Sequence, residues 1–368
     1  MPNIVISGGG TGGHVFPAIA IADAIKTLDK SAEILFVGAK GKIEMEKVPK
    51  AGYKIVGLDI MGFQRKLTLK NLLFPFKLAW SLLKAWQIVH SNKPDIAVGV
   101  GGYASGPILK IANLLGIPTV IQEQNSYAGV TNRMLAKKAS LVCVAYDGLD
   151  RFFPKEKIIF TGNPVRKDIL DKNIAKDKAK SILDVQQNNQ TVLIFGGSLG
   201  ARTINDAVLT NAELLLQMDN VNLIWQVGKI YYDEYKNCLL ANKKNIKIIP
   251  FIEDMDVAYS AADIVICRAG ALTISELALL GKAAILIPSP NVAEDHQTVN
   301  AMSLVDKNAA ILVKDKEASK VLVENISSLL SDENKRKSLE ENILYFGRPD
   351  AAIKIATEIL KICKDKLS

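Results

Sequence analysis

Short apolar runs alternate with longer amphipathic segments through the first 160 residues. Apolar runs of this length, bounded by turn residues, predict buried strands, and the segments between them predict helices. The strands are expected at Asn3–Ser7, Glu33–Gly38, Ile96–Gly99, Thr119–Gln122, Leu141–Val144 and Ile158–Phe160, and the helices at Pro17–Leu28, Leu78–His90, Pro107–Leu115 and Gly129–Ala136. This alternation favours parallel strands in a sheet that helices cover on both faces.

The same pattern starts again after a polar segment, Lys167–Asn189. Further strands are expected at Thr191–Phe195, Asn222–Val227, Ile246–Pro250, Ile264–Cys267, Ala284–Pro288 and Ala310–Val313, and helices at Ala201–Leu216, Met255–Ala261, Thr273–Leu280, Gln297–Lys307 and Arg348–Leu367. The two halves also share a loose likeness, Ile4–Gly10 against Val192–Ser198. We therefore predict two Rossmann-like α/β domains, joined near Gly162–Pro164, which face a cleft at the carboxyl ends of their sheets.

Composition narrows the class of protein. The 368 residues suit two domains, and 49% hydrophobic with 23% charged residues is ordinary for a globular chain. No run approaches the roughly 18 apolar residues of a membrane span. The first residues enter a strand directly, so no leader is predicted. The cysteines, at 143, 238, 267 and 363, form no C-x-x-C motif and are typical of reduced thiols in a cytosolic protein.

The net charge of +8 is unevenly distributed. No acidic residue lies between Asp59 and Asp95, whereas this span holds six basic residues and two of the three tryptophans. The basic residues are Arg65, Lys66, Lys70, Lys77, Lys84 and Lys93, and the apolar ones include Leu72, Leu73, Phe74, Phe76, Trp80, Leu83 and Trp86. An ordinary amphipathic helix on its sheet explains part of this pattern, and a surface that docks on anionic lipid explains the rest.

A glycine-rich turn, Gly8–Gly13, follows the first strand and precedes a helix. Such turns bring backbone amides close to a phosphate, but they also serve as plain strand-to-helix connections. A dinucleotide site would need an acidic residue where the second strand ends. After that strand, the first acidic residue is Glu44, several positions further along the chain. His14, directly after the glycines, suits either a general base near neutral pH or a polar contact at the helix terminus.

The second half carries its own candidates. Gly196–Gly200 repeats the strand–turn–helix arrangement and adds the Ser198 hydroxyl. Glu276 could accept the hydroxyls of a ribose, or it could close a capping box with Thr273. His296 and Gln297 are suited to hydrogen bonds with sugar hydroxyls. Glu294 and Asp295, directly before them, are typical of acidic residues at the start of a helix. Asp254 and Asp256 resemble a metal-binding D-x-D pair but stand where a helix begins, so no metal site is predicted.

Taken together, these motifs closely resemble the MurG glycosyltransferase family. The matching segments occur in family order at Gly8–Pro17, Gly101–Pro107, Glu123–Asn125, Thr161–Arg166, Gly196–Ser198, Pro250–Ile252 and Cys267–Glu276. Two positions differ, because Gln122 stands where the family usually has His and Leu199 where it often has Gln. Leu199 has an apolar side chain, so no side-chain phosphate contact is expected from this position.

The resemblance implies a GT-B fold. The first domain would be residues 1–162, facing acceptor and membrane, and a C-terminal helix, 348–368, would return to it; residues 163–347 would bind the UDP-sugar. It implies UDP-N-acetylglucosamine as donor and no cofactor. Ile252 would present its backbone to uracil, Glu276 would take the ribose hydroxyls, Ser198 would meet the diphosphate and Gln297 the sugar. The other implied contacts are Thr11, Gly12, Gly13, Asn125, Arg166, Ala271, Leu272, Thr273 and His296.

The family's reaction is an inverting transfer. The C4 hydroxyl of a polyprenyl-diphospho-muramoyl-pentapeptide, lipid I, would attack the donor sugar to give lipid II for peptidoglycan, with His14 as the base. This acceptor implies peripheral attachment to the cytoplasmic face of the inner membrane, through Leu73, Phe74, Phe76, Lys70 and Lys77. A cell-wall synthesis complex, acting in cell shape and division, is a further implied partner, and nucleic acid is not.

Three alternatives remain open on the sequence. The chain could be another GT-B enzyme that uses a nucleotide sugar on a different lipid acceptor, such as a diglucosyl-lipid synthase. It could be an NAD(P)-dependent oxidoreductase, which the missing acid after the second strand disfavours. It could also bind a nucleotide sugar without catalysis, although two intact half-sites argue against this.

Overall fold

The computed structural model describes residues 1–60, 74–166, 169 and 174–367. The chain separates into two compact units. We call Met1–Arg166 with Arg348–Ser368 the first unit, and Lys167–Gly347 the second unit. The boundary falls after Arg166, whereas the sequence predicts it after residue 162, and the segment from Arg348 onward belongs to the first unit.

The first unit is a parallel sheet with helices on both faces. Its strands are β1 (Asn3–Ser7), β2 (Glu33–Ala39), β3 (Lys54–Leu58), β4 (Ile96–Gly99), β5 (Thr119–Glu123), β6 (Leu141–Val144) and β7 (Ile158–Phe160). Its helices are α1 (Gly12–Leu28), α2 (Glu44–Lys50), α3 (Phe74–Asn92), α4 (Ser105–Leu114), α5 (Val130–Ala136) and, at the C-terminus, the helix Ala351–Leu367.

The strand order in this sheet is β3-β2-β1-β4-β5-β6-β7, and every pairing is parallel. The order reverses direction between β1 and β4, which is where open α/β sheets bind ligands. The turn after β1 and the loop after β4 therefore lie side by side at the carboxyl edge of the sheet.

The second unit repeats this architecture with strands β8 (Gln190–Phe195), β9 (Val221–Gln226), β10 (Ile246–Ile249), β11 (Ile264–Cys267), β12 (Ala283–Leu286) and β13 (Ile311–Leu312). The order is β10-β9-β8-β11-β12-β13, again parallel throughout. Its helices are α6 (Lys176–Ile182), α7 (Arg202–Thr210), α8 (Ala212–Leu216), α9 (Tyr232–Tyr235), α10 (Met255–Ala261), α11 (Ala271–Leu280), α12 (His296–Val305), α13 (Ala318–Ser331) and α14 (Glu333–Leu344). The C-terminal helix of the first unit is then α15. The predicted α/β class with two doubly wound sheets is confirmed.

Most predicted elements are found within two or three residues of their expected ends, but some predictions were wrong. The helix expected over Ala201–Leu216 is two helices, because the backbone leaves the α conformation at Asn211. Strand β3 and helices α2, α6, α9, α13 and α14 were not predicted. Most of these elements are short or strongly polar, so their apolar periodicity is weak. Helix α13 is different, because its 14 residues are amphipathic and bury Leu322, Ile326 and Leu329.

Helix α15 completes the core of the first unit. Ile355, Ile359 and Cys363 are fully buried against α1 and the neighbouring strands. Burial of each isoleucine contributes about 2 kcal/mol to stability. The last helix of the chain is thus a structural part of the N-terminal unit.

Helix α3 packs with one face only. Ser81, Ala85 and Val89 are buried, and the Ser81 hydroxyl donates to the Asp59 carbonyl at 3.0 Å. The opposite face exposes Trp80, Leu83 and Trp86, of which 60%, 59% and 46% are accessible. Within the described residues, no helix combines the length and apolar character needed to cross a membrane.

Candidate functional site

The glycine-rich turn after β1 is held from below by a buried carboxylate. Glu44, at the start of α2, is only 1% exposed, and its two oxygens accept hydrogen bonds from the amides of Gly10 and Ala39, each at 2.9 Å. A side chain at Gly9 would meet this carboxylate at 2.2 Å, so only glycine fits there. The Gly10 amide is therefore committed to Glu44.

This leaves the start of α1 as the anion-attracting part of the turn. Thr11 is the N-cap residue, and Gly12 and Gly13 are the first helical residues, whose amides have no acceptor one turn earlier in the helix. Aligned peptide dipoles favour negative charge at this position. Of the groups that Thr11, Gly12 and Gly13 were predicted to offer a ligand, the backbone amides at the helix terminus and the Thr11 hydroxyl are therefore the relevant ones.

His14 lies between this turn and the loop after β4. Its Nδ1 is 3.2 Å from the Thr11 hydroxyl oxygen. Its Nε2 edge packs over Gly101, where a Cβ atom would come within 2.9 Å of Nε2. Gly101 also has φ +85°, a conformation that other residues adopt at a cost. The imidazole is half-buried, and both ring nitrogens have defined surroundings.

A buried amide network supports the same edge. Gln122 donates through Nε2 to Asn163 Oδ1 at 3.1 Å, and Asn163 donates back to the Gln124 carbonyl at 3.0 Å. Gln124 donates to the carbonyl of Val100 at 2.8 Å, which joins β5 to the loop after β4. Gln122, where the resembled family usually has His, is therefore a buried member of the packing and not an exposed site residue.

Asn125 and Arg166 also lie in the first unit. The buried Glu123 carboxylate holds the loop that carries Asn125, because it accepts from the amides of Asn125 and Gly129 and from the Asn132 side chain. Burial raises the pKa of Glu123, although these hydrogen bonds act in the opposite direction. The Arg166 guanidinium lies 4.8 Å from the centre of the Phe16 ring.

In the second unit, one residue joins two predicted contacts. Gln226, the last residue of β9, donates to the Gly197 carbonyl at 2.8 Å and accepts from the Ile252 amide at 3.3 Å. The glycine turn that carries Ser198 and the segment that carries Ile252 are therefore brought together. Since the Ile252 amide is already bonded, its carbonyl is the backbone group that remains for a ligand. Ser198 and Leu199 are exposed at the turn.

Glu276 lies on α11, and its position overturns one prediction. The helix begins at Ala271 with Gly270 as its N-cap, so Thr273 is inside the helix and the predicted capping box is wrong. Glu276 is 6% exposed, and it accepts a hydrogen bond from the Tyr259 hydroxyl at 2.9 Å. The carboxylate is thus oriented by a buried phenol. Ala271 is buried in the first turn of the helix, where Leu272 is half-buried.

His296 and Gln297 begin α12 after an unusual backbone segment. Glu294 and Asp295 have φ of +54° and +47°, the left-handed conformation that non-glycine residues seldom adopt. Two such residues in succession cost about 1–3 kcal/mol each, and they occur most often at functional sites. The Gln297 side-chain oxygen accepts from the Ser289 amide at 2.8 Å, which leaves its amino group to donate elsewhere.

A half-buried ion pair fixes the loops at the carboxyl edge of the second sheet. Arg268 follows β11 and pairs with Asp315, which also accepts from the Thr203 hydroxyl at 3.1 Å. Arg268 donates to the Ile287 and Pro288 carbonyls as well, at 3.0 and 3.1 Å. The ends of β11 and β12 are thereby tied to the helix that follows the glycine turn.

The described residues contain no group of three or more His, Cys, Asp or Glu that could hold a metal ion. Asp254 occupies the N-cap position of α10, without a side-chain capping hydrogen bond, and Asp256 lies in the first turn, where acids are expected at a helix terminus. Of the residues predicted to dock on membrane, Lys70 and Leu73 lie outside the described residues. Phe74 and Phe76 belong to α3 without a description of their side chains, and Lys77 is exposed.

Sequence reasoning missed three residues that organise these sites: Glu44, Gln226 and Tyr259. Gln226 gave a signal, since it is a polar residue at the carboxyl end of an otherwise apolar strand. Glu44 was considered only in the argument against a dinucleotide ribose site. Its hydrogen-bond partners are backbone amides, and a sequence pattern does not reveal such partners. Tyr259 lies in an ordinary helix and carried no signal.

Comparison with known families covers both units. The profile of the glycosyltransferase family 28 N-terminal domain matches residues 4–144, and that of the family 28 C-terminal domain matches residues 191–355. The chain belongs to glycosyltransferase family 28. The two family 28 profiles fall on the two parallel sheets in the order in which the sheets occur.

Close relatives span nearly the whole chain. A protein of Flavobacterium psychrophilum is 51% identical over 99% of this chain and 98% of its own length, and one of Bacteroides thetaiotaomicron is 52% identical over 98% of each. Both are named UDP-N-acetylglucosamine--N-acetylmuramyl-(pentapeptide) pyrophosphoryl-undecaprenol N-acetylglucosamine transferase. Among solved structures, Acinetobacter baumannii MurG is 29% identical with a TM-score of 0.75, over 98% of this chain and 100% of that one. The predicted family and GT-B fold are therefore confirmed.

Proposed function

We propose that this chain transfers N-acetylglucosamine from its UDP derivative to the muramoyl sugar of an undecaprenyl-diphospho-muramoyl-pentapeptide. The observation that carries the proposal is identity of about 51% over nearly the full length with relatives that are named for this reaction. Matches to both the N-terminal and the C-terminal family 28 domains support a glycosyltransferase built from two domains. The enzyme thereby forms lipid II for peptidoglycan.

We assign the donor to the second unit. The Ile252 carbonyl accepts from the uracil ring, the Glu276 carboxylate takes the ribose hydroxyls, and the amino group of Gln297 donates to the sugar. Two hydrogen bonds within the unit support this assignment. The Tyr259 hydroxyl orients the Glu276 carboxylate, and the Ser289 amide orients the Gln297 side chain. His296 and the first turn of α11, Ala271–Thr273, complete this side.

The leaving diphosphate gains negative charge as the glycosidic bond breaks. The turn Gly196–Gly200 and the start of α7 offer backbone amides and the Ser198 hydroxyl to that charge. Donors fixed in advance at a helix N-terminus stabilise such a transition state without reorganisation. The first unit, with Asn125 and Arg166, holds the acceptor and its diphosphate near the start of α1.

His14 is the base that removes the proton from the acceptor hydroxyl. A neutral imidazole that accepts a proton at Nε2 must carry its own proton on Nδ1, where the Thr11 oxygen at 3.2 Å can accept it. Gly101 leaves room for the Nε2 edge. Oxygen attack on the anomeric carbon from the face opposite UDP then inverts the configuration.

The acceptor's polyprenyl chain places the reaction at a membrane surface. We assign docking to the exposed face of α3 and the basic segment before it, on the cytoplasmic face of the inner membrane. Trp80, Leu83 and Trp86 supply apolar area that no other described part of the chain covers. Lys77 adds charge, and each such charge contributes about 1 kcal/mol near anionic lipid. A cell-wall synthesis complex remains a further proposed partner.

An oxidoreductase is the least favoured alternative on structural grounds. The acidic residue next to the end of β2 is Glu44, and both of its oxygens are occupied by backbone amides in a buried position. It therefore cannot accept the hydroxyls of a dinucleotide ribose, which is the role that an acid takes after the second strand of such a fold.

The test is release of UDP from UDP-N-acetylglucosamine in EDTA, with and without a short-chain lipid-linked muramoyl-pentapeptide. Release that depends on this acceptor is the expected result, and His14→Asn should reduce kcat by about a hundredfold or more with little change in donor KM. Tight donor binding without release would move the acceptor to another lipid. Turnover by His14→Asn equal to the wild type would exclude His14 as the base.

A further inference from the structure

Two guanidinium groups share an aromatic platform beside the loop that carries Asn125. Arg151 lies 4.8 Å from the centre of the Phe152 ring, and Arg133 lies 5.5 Å from the same centre. Tyr127 packs edge-on against Phe152 at 4.7 Å, and Arg133 is 5.4 Å from the Tyr127 ring. We call Tyr127, Arg133, Arg151 and Phe152 the arginine cluster.

The charges in this cluster are not balanced. Among the described residues, neither Arg133 nor Arg151 has a carboxylate within ion-pair distance. Arg151 is also fixed in place, because it donates to the Ser126 carbonyl at 3.0 Å. Two cations held on one ring repel each other, and flat guanidinium groups present paired donors that match a carboxylate or phosphate. The arrangement therefore favours an anion as a third partner of the two guanidinium groups.

The cluster belongs to the same sheet edge as His14. It is built from the loops after β5 and β6 and from the first turns of α5. Gln124 packs against Gly101, as does the His14 imidazole, and Ser126 is only two residues further along the chain. Two residues span at most about 7 Å, so the loop that begins at Gln124 leads directly to Ser126, whose carbonyl Arg151 binds.

The proposed acceptor has anionic groups that fit this location. A muramoyl sugar carries its peptide on the lactyl ether of C3, the carbon next to the reacting C4 hydroxyl, whereas its diphosphate and lipid leave from C1. Five extended residues reach about 17 Å. The peptide therefore extends from the sugar next to the reacting hydroxyl, on the side away from the lipid. Its carboxylates lie within this reach of the base.

Resting on the proposed function, we infer that Arg133 and Arg151 bind a carboxylate of the acceptor's peptide and so select acceptors that carry an acidic peptide. The rings of Phe152 and Tyr127 cover one side of the guanidinium groups and hold them in position, so that their other side can meet the carboxylate. The cluster contributes to acceptor binding and takes no part in the transfer step.

The test compares two short-chain acceptors that differ only in whether the peptide carboxylates are free or converted to amides. With the free acid, Arg133→Gln combined with Arg151→Gln should raise acceptor KM about tenfold, with kcat and donor KM unchanged. With the amidated acceptor, wild type should already show the weaker binding, and the double variant should add nothing. Lys110→Gln, which removes an exposed charge from α4 of the same unit, is the control.

The outcomes separate the possibilities. The conservative pair Arg133→Lys and Arg151→Lys should recover part of the acceptor affinity, and thermal unfolding shows whether either variant has lost structure. If the double variant loses the same affinity for both acceptors, the inference is overturned. If its binding to anionic vesicles falls in parallel, the anion is a lipid headgroup. Absence of acceptor-dependent release by wild type overturns the proposed function itself.

Discussion

The Glu44 carboxylate lies 2.9 Å from the amide of Gly10, a residue 34 positions earlier in the chain. With its other oxygen on the Ala39 amide, Glu44 ties the glycine turn to the end of β2. The turn leads directly into Thr11 and His14. A buried carboxylate therefore sets the position of the proposed base through the backbone and does not itself meet a ligand.

Glu44→Gln places an amino group against one of these two amides. Leaving a buried donor unpaired costs about 1–3 kcal/mol, so we expect a lower unfolding temperature and a reduced kcat. Donor KM should be unchanged, because the donor is assigned to the second unit. Glu46→Gln is the matched control, since Glu46 is an exposed residue of the same helix that pairs with Lys50 at 2.8 Å. A normal kcat in the destabilised variant would show that Glu44 serves stability alone.

Gly101→Ala should affect activity more than stability. The new methyl group would lie 2.8 and 2.9 Å from two atoms of the His14 ring, so the ring would have to shift. A displacement of this kind reduces kcat by about a hundredfold. Gly116→Ala is the control, because its φ of +69° carries a similar backbone cost with no atom within 4 Å of the added carbon. Equal kcat in the two variants would contradict the placement of His14.

Tyr259→Phe removes the hydrogen bond to Glu276 and keeps the ring. One such bond is worth about 1 kcal/mol, so donor KM should rise about fivefold while acceptor KM stays constant. Tyr235→Phe is the comparison, since this buried phenol of the same unit donates to Asp206 and not to a proposed ligand contact. Isothermal titration with UDP gives the same answer without turnover. Unchanged UDP affinity would remove Glu276 from the donor site.

Serine at Trp80, Leu83 and Trp86 should weaken binding to anionic vesicles and leave the unfolding temperature nearly unchanged, since these side chains are exposed. Activity on a short-chain soluble acceptor should persist. Leu214→Ser with Leu239→Ser, two exposed leucines of the second unit, is the control. Vesicle co-sedimentation that matches wild type in the α3 variant would locate membrane docking elsewhere.

The sequence by itself determined the two parallel sheets, since apolar runs flanked by glycine turns have few other ways to bury themselves. It also indicated the candidate ligand-facing motifs, because each follows a strand at its carboxyl end. His14, Ser198 and Glu276 were proposed in this way, and the motif order identified the family.

Only the tertiary structure decided which groups are already occupied. The amides of Gly10 and Ile252 are bonded to Glu44 and Gln226, from elements far away in the chain. The helix start at Ala271 removed the capping box, and the arginine cluster combines residues from separate loops. Hydrogen bonds between distant residues depend on where the packed elements lie and leave no periodic pattern, so a single sequence does not display them.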